Sequence, residues 1–97
     1  MNIREFQTMM HQLYFQNDSA RGATETYNWL VDEVGELGEC LRAADKDALE
    51  KEFADVIAWL ASLANVTNVD LETVALKKYD RRCPKCRHSP CRCVFKL

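Results

Sequence analysis

Two short stretches crowd acidic side chains at helical spacing. WLVDEVGELGEC, Trp29 to Cys40, holds Asp32, Glu33, Glu36 and Glu39, and EKEFADVIAWL, Glu50 to Leu60, holds Glu50, Glu52 and Asp55. Glu33 and Glu36 are three residues apart, as are Glu52 and Asp55, so on a helix each pair shares one face. Carboxylates gathered at ~4 Å repel one another by several kcal/mol per pair at intermediate dielectric, unless cations sit among them. Hard oxygen donors favour Mg²⁺ or Mn²⁺. A di-iron bundle would want Glu-x-x-His on two helices, and neither stretch contains a histidine. For either pair alone, a solvated acidic face is the better reading; the double pattern together favours a metal site.

A softer ligand set lies near the C-terminus. CPKCRHSPCRC places Cys83, Cys86, Cys91 and Cys93 as a CxxC followed by a CxC. Four thiolates in one short loop suit a tetrahedral Zn²⁺ site, with His88 a substitute ligand that a full set of thiols does not need. A reduced disordered tail and disulfides are the alternatives. Lys85, Arg87 and Arg92 add positive charge, so nucleic acid is a possible but not favoured partner. No aromatic interleaving or base-reading helix supports sequence-specific recognition.

The elements that must position these groups follow from apolar periodicity. Ile3, Phe6, Met10 and Leu13 predict a first helix over roughly 3–17, ended by the turn cluster NDSARG. Tyr27, Leu30, Val34, Leu37 and Leu41 predict a second over 24–44, with Thr24 as N-cap. Leu49, Phe53, Val56, Ile57, Leu60, Leu63 and Ala64 predict a third over 48–66, opened by an Asp47–Glu50 capping box. Ala54, Ala58, Ala61 and Val66 widen its apolar surface nearly all round, which marks a buried helix. A chain this small has too few helices to cover it, so an oligomer is expected. Asn68 or Asp70 caps a short fourth helix ending near Tyr79. The fold class is all-α, a helical bundle completed by oligomerisation, with a helical domain over 1–81 and a Cys-rich basic tail over 82–97.

If helices two and three form an antiparallel hairpin centred on position 44, Glu36 and Glu52 are each eight residues from the turn. Glu33 and Asp55 are each eleven away, and Trp29 and Trp59 each fifteen. At about 100° per residue, Trp29–Glu33–Glu36 and Glu52–Asp55–Trp59 fall on the same flank of the hairpin. One register thus levels the carboxylates in pairs and puts both tryptophans at one end. Asp32 and Glu39 miss the stripe.

Glu33-x-x-Glu36, then Glu52-x-x-Asp55 after fifteen residues, resembles the signature of the MazG-type, all-α nucleotide pyrophosphohydrolases. The phrases EVGELGE and EFADVIAWL strengthen the likeness, which spans roughly residues 3–80 and leaves the cysteine tail outside it. The resemblance implies Mg²⁺- or Mn²⁺-dependent hydrolysis of nucleoside triphosphates to a monophosphate and pyrophosphate, in homodimers or homotetramers. It implies that Glu33, Glu36, Glu52 and Asp55 are metal ligands, which fits the need for charge stabilisation and water activation at phosphorus. Glu33 or Glu36 is then the candidate base. Trp29 and Trp59 are candidates to stack on the base, with packing in the bundle core as the alternative. Lys77, Lys78 and Arg81 are candidates for the β- and γ-phosphates, and Arg21 is a weaker one. The competing function is a non-catalytic helical oligomer whose zinc tail binds nucleic acid or a protein, but such a module has no need of matched carboxylates.

Composition agrees with a folded chain of 97 residues, 47% hydrophobic, with only three glycines and two prolines. The net charge of -2 hides an asymmetry. Residues 77–97 carry eight Lys or Arg against Asp80 alone, net +7, leaving -9 for residues 1–76. No run is long enough to span a bilayer. MNIREFQTMMHQ lacks the apolar core of a secretion signal, so a reducing cytoplasmic setting without membrane contact is expected.

Overall fold

The computed structural model describes residues 1–94. Lys96, counted with the basic tail, lies outside them. Four helices follow in order: α1, Ile3–Arg21; α2, Ala23–Ala43; α3, Lys46–Val66; α4, Leu71–Lys78. Among the described residues no helix is long and apolar enough to cross a membrane.

α1 opens with a capping box. The Glu5 N–H donates to Asn2 Oδ1 at 2.8 Å and the Asn2 N–H to Glu5 Oε1 at 3.1 Å, satisfying two otherwise orphaned donors. The helix outruns its predicted end at Asn17. Asp18 and Arg21 pair at 2.8 Å across one turn, so NDSAR stays helical and only Gly22, at φ +90°, breaks the chain. Gly22 also caps α2, where Thr24 was expected to do so. Thr24 lies inside the helix, and the backbone N–H and hydroxyl of the buried Thr26 both donate to the Gly22 carbonyl. At the next joint the cap is Asp45, not Asp47: Asp45 Oδ1 accepts from the Ala48 N–H at 3.1 Å. The turn before it is tight because Ala44 takes a left-handed conformation, φ 54°, and donates its N–H to the last carbonyls of α2.

α2 and α3 form an antiparallel hairpin with its bend at Ala44 and Asp45, and α1 runs antiparallel to the second half of α3. Ala61, Ser62 and Ala64 are small and buried, which lets α1 come close around Met10. Gln7 locks that end. Its amide donates to Asn65 Oδ1 at 3.0 Å and to the Val69 carbonyl at 2.7 Å, and its Oε1 accepts from the Leu71 N–H at 2.9 Å. Arg4 bonds Asp70 and Glu72 and holds α4 against the start of α1.

The apolar residues of α2 and α3 are far from covered. Tyr27, Val31, Val34 and Leu41 on α2, and Phe53, Ile57 and Leu60 on α3, are exposed in the single chain. On α1, Leu13 is exposed where a core position was expected. The radius of gyration is 15.9 Å, against about 13 Å for a compact domain of this length. One copy therefore builds a scaffold with an open apolar side.

Candidate active site

Glu33 and Glu36 project from α2 and Glu52 from α3. One carboxylate oxygen of each lies within 4.8 Å of the others. The hairpin bend at Ala44 and Asp45 fixes this meeting, since it levels residue 36 with residue 52. The same register stacks Trp29 on Trp59, with ring centroids 5.9 Å apart and planes 14° from parallel. Asp32 and Glu39 are exposed and outside the group.

The electrostatics of the trio are those of acids short of a counter-ion. Glu36 is pushed above the ordinary carboxylate range, first by its hydrogen bond to Glu52 and then by that residue's charge. Glu52 is pushed up first by a hydrogen bond to Glu33 and then by loss of hydration. Neighbouring carboxylates that repel one another favour the protonated form, which is the direction of both shifts. Glu33 Oε2 and Glu52 Oε2 are buried and have no hydrogen-bond partner among the described residues. Orphaned buried oxygens beside like charges suit a divalent cation with oxygen ligands.

Asp55 stands apart from the three, although its charge still reaches Glu52. It lines a cavity of about 350 Å³ together with Ala58, Trp59 and Ser62 of α3. The opposite wall is α1, with Tyr14, Asn17, Asp18 and Arg21. Asp55 is therefore the link between the acidic cluster and the cavity. The Arg21 guanidinium lies over the Trp59 ring, 4.8 Å from its centroid, while one of its nitrogens bonds Asp18 Oδ1. Asp18 is 2% exposed, and its Oδ2 has no partner among the described residues.

Asp18 is the residue that sequence reasoning missed. It sat inside a presumed turn, where an acid is ordinary. An i,i+3 Asp–Arg pair just before a glycine was the available sign that the helix carries on. The tryptophans are together at the expected end, but Trp59 already has both Trp29 and Arg21 against its ring, and Trp29 is half exposed. Lys77, Lys78 and Arg81 are not brought to the cluster within one chain. Lys77 and Lys78 close α4 and Arg81 follows it, beyond the end of α3, which from Glu52 to Val66 alone extends ~21 Å. Lys78 instead borders the cysteine loop, its Nζ 5.6 Å from the Tyr79 ring centroid.

The four C-terminal cysteines are gathered too, all sulfurs within 4.8 Å of one another. Backbone N–H groups of Arg92 and His88 draw Cys86 down to about 5, and its three sulfur neighbours push Cys93 up to about 12. Cys40 lies apart on α2, half-buried, its thiol pushed up by burial and nearby acids.

The family model of the MazG nucleotide pyrophosphohydrolase domain matches residues 21–87. The chain belongs to the MazG family. The match takes in α2, α3 and α4, and with them all four expected carboxylates and both tryptophans. It begins at Arg21, so most of the α1 wall of the cavity lies outside it. It ends at Arg87, so Cys83 and Cys86 fall inside and Cys91 and Cys93 outside. Comparison with curated proteins gives no match. MazG membership, the acidic trio and the adjoining cavity together suggest a nucleotide pyrophosphohydrolase.

Proposed function

We propose that this MazG domain hydrolyses a nucleoside triphosphate to the monophosphate and pyrophosphate, with Mg²⁺ or Mn²⁺ held by Glu33, Glu36, Glu52 and Asp55. The observation that carries this reading is the pair of buried oxygens on Glu33 and Glu52, unpartnered among the described residues, inside a carboxylate trio one helical turn from Asp55, which lines a cavity. The metal would offset phosphate charge and make water a better nucleophile. The protein's own part is positioning. Two rigid helices fix the acids opposite the α-phosphorus, where orientation and charge placement matter more than a covalent nucleophile. Glu36 is exposed within the trio and Glu33 half-buried, so either can take a proton from water.

The cavity takes the nucleoside side. Trp59 supplies an apolar wall, Arg21 donors and Asp18 Oδ2 a buried acceptor that a ligand N–H would satisfy. The exposed stripes of Tyr27, Val31, Val34 and Leu41, and of Phe53, Ile57 and Leu60, support a homodimer or homotetramer. In such an assembly the phosphate-binding role of Lys77, Lys78 and Arg81 falls to a neighbouring copy's site. Five free thiols fit a reducing, cytoplasmic setting.

The test is a panel of nucleoside triphosphates assayed for pyrophosphate. Release from at least one substrate with Mg²⁺, abolished by chelator, is expected. No release from any of them sinks the reading.

A further inference from the structure

The acidic site leaves the C-terminal cysteines unused, and their geometry is specific. Cys83 Sγ and Cys93 Sγ are 3.6 Å apart, and Cys86 Sγ and Cys91 Sγ 3.9 Å. A disulfide needs ~2.05 Å, so neither pair is bonded. Four sulfurs placed ~2.3 Å from a central ion at the corners of a tetrahedron stand ~3.8 Å from one another. The observed separations match that figure. All four sulfurs cluster round one point, whereas a two-iron cluster would split them between two metals.

The surroundings are those of thiolates rather than thiols. The Arg92 N–H donates to Cys86 Sγ and the Cys93 N–H to Cys91 Sγ, each at 3.3 Å. Amide donors aimed at sulfur stabilise its negative charge and orient it toward an ion. The loop is folded to do this. The Cys83 N–H donates to the His88 carbonyl at 3.0 Å, and the Arg87 N–H to the Cys83 carbonyl at 2.8 Å. Arg87 follows the second cysteine in the left-handed region, φ 63°, a conformation that a side chain resists unless its neighbours impose it. From Arg81 to Cys93 the sequence carries Arg81, Arg82, Lys85, Arg87 and Arg92 and no acid. Four thiolates around one divalent cation leave a double negative charge, and these five cations offset it.

We propose that Cys83, Cys86, Cys91 and Cys93 hold one Zn²⁺ in a closed tetrahedral site that ties down the chain after α4. Soft thiolate ligands select zinc over the hard cations the carboxylates favour. Four protein ligands leave no position open, so the ion is structural and takes no part in hydrolysis. Binding releases the protons that the thiols still carry.

The experiment uses the full chain, purified under reducing conditions without chelator. Elemental analysis should give one zinc per chain. Co²⁺ offered to the metal-free chain should produce the intense visible bands of tetrahedral thiolate coordination. Cys86→Ser and Cys91→Ser should lose both signals, and Cys40→Ser and His88→Ala should keep both. Glu36→Gln should also keep both, which separates this site from the catalytic proposal. Iron in place of zinc, a chain that yields no thiolate bands with Co²⁺, or full zinc in both serine variants overturns the assignment. The cobalt spectrum of the unaltered chain decides the matter even where a serine variant fails to fold.

Discussion

The carboxylates of the α2–α3 hairpin and the thiols beyond α4 are both ligand clusters, yet the chain assembles them by opposite means. Glu33, Glu36 and Glu52 come from two long helices, and their meeting depends on the bend at Ala44 and Asp45, eight residues from Glu36. The cysteines come from one eleven-residue loop, and their meeting depends on local backbone bonds such as Arg87 N–H to the Cys83 carbonyl. The acids lie close to one another, and Glu36 and Glu52 are both pushed above the ordinary carboxylate range. The thiols lie in a stretch of sequence rich in Arg and Lys. A helix-built site is rigid and keeps one side open to a cavity, as catalysis requires. A loop-built site closes on its ligand, as structural zinc requires. Helix geometry spends stability to keep like charges together, and the loop would gain stability from the ion proposed for it.

The largest effect should come from breaking the acidic side. Glu36→Gln or Asp55→Asn should lower pyrophosphate release by more than ~100-fold, beyond what loss of a supporting contact costs. Circular dichroism should show the helices intact. Glu36→Gln should also raise the melting temperature in chelator, because it removes a charge that Glu52 opposes. Unchanged turnover in both variants would leave the acids a solvated face.

The open apolar side is the next test, since a rigid hairpin needs its back covered. Light scattering at micromolar concentration should show a dimer or tetramer. Ile57→Glu should dissociate it and reduce helicity, because an ion in that interface is costly. A stable wild-type monomer would contradict the reading.

A smaller effect follows from pH. Glu36 and Glu52 have raised values, so the metal-free fold is favoured below the ordinary carboxylate value of 4.5 and loses that share of stability as pH rises through the raised range. Thermal melts in chelator should fall across that window and level off above it. With Mg²⁺ the fall should vanish, since the cation then offsets the charge. A profile identical with and without Mg²⁺ would separate the acids from any metal.

The smallest expected effect lies in the bend itself. Ala44 is left-handed, where glycine has no steric cost, so Ala44→Gly should stabilise the chain by ~0.5–1 kcal/mol, read from denaturant melts, with turnover unchanged.

Much of the helix-built site was legible in the sequence because helices have a fixed period. Counting from position 44 levelled Glu36 with Glu52 and paired the tryptophans, and the structure has Trp29 stacked on Trp59. Asp55 shows the limit of such counting. It is level with Glu33 along the hairpin, yet it is not in the group of three and lines the cavity instead. Asp18 was invisible because its role depends on α1 running on to Arg21, and local composition at NDSARG argued for a turn. Gln7, with four hydrogen bonds joining α1 to the α3–α4 corner, carried no pattern at all, since its partners are some sixty residues away. The cysteine loop was legible by spacing, but its turns depend on backbone bonds that no periodicity records.

Product analysis tests the central claim most directly. The chain is incubated with Mg²⁺ and the preferred nucleoside triphosphate, and the products are separated. The account predicts monophosphate and pyrophosphate in equal amounts, formed by the wild type and not by Glu36→Gln. Diphosphate with free phosphate, or equal products from both chains, would contradict it.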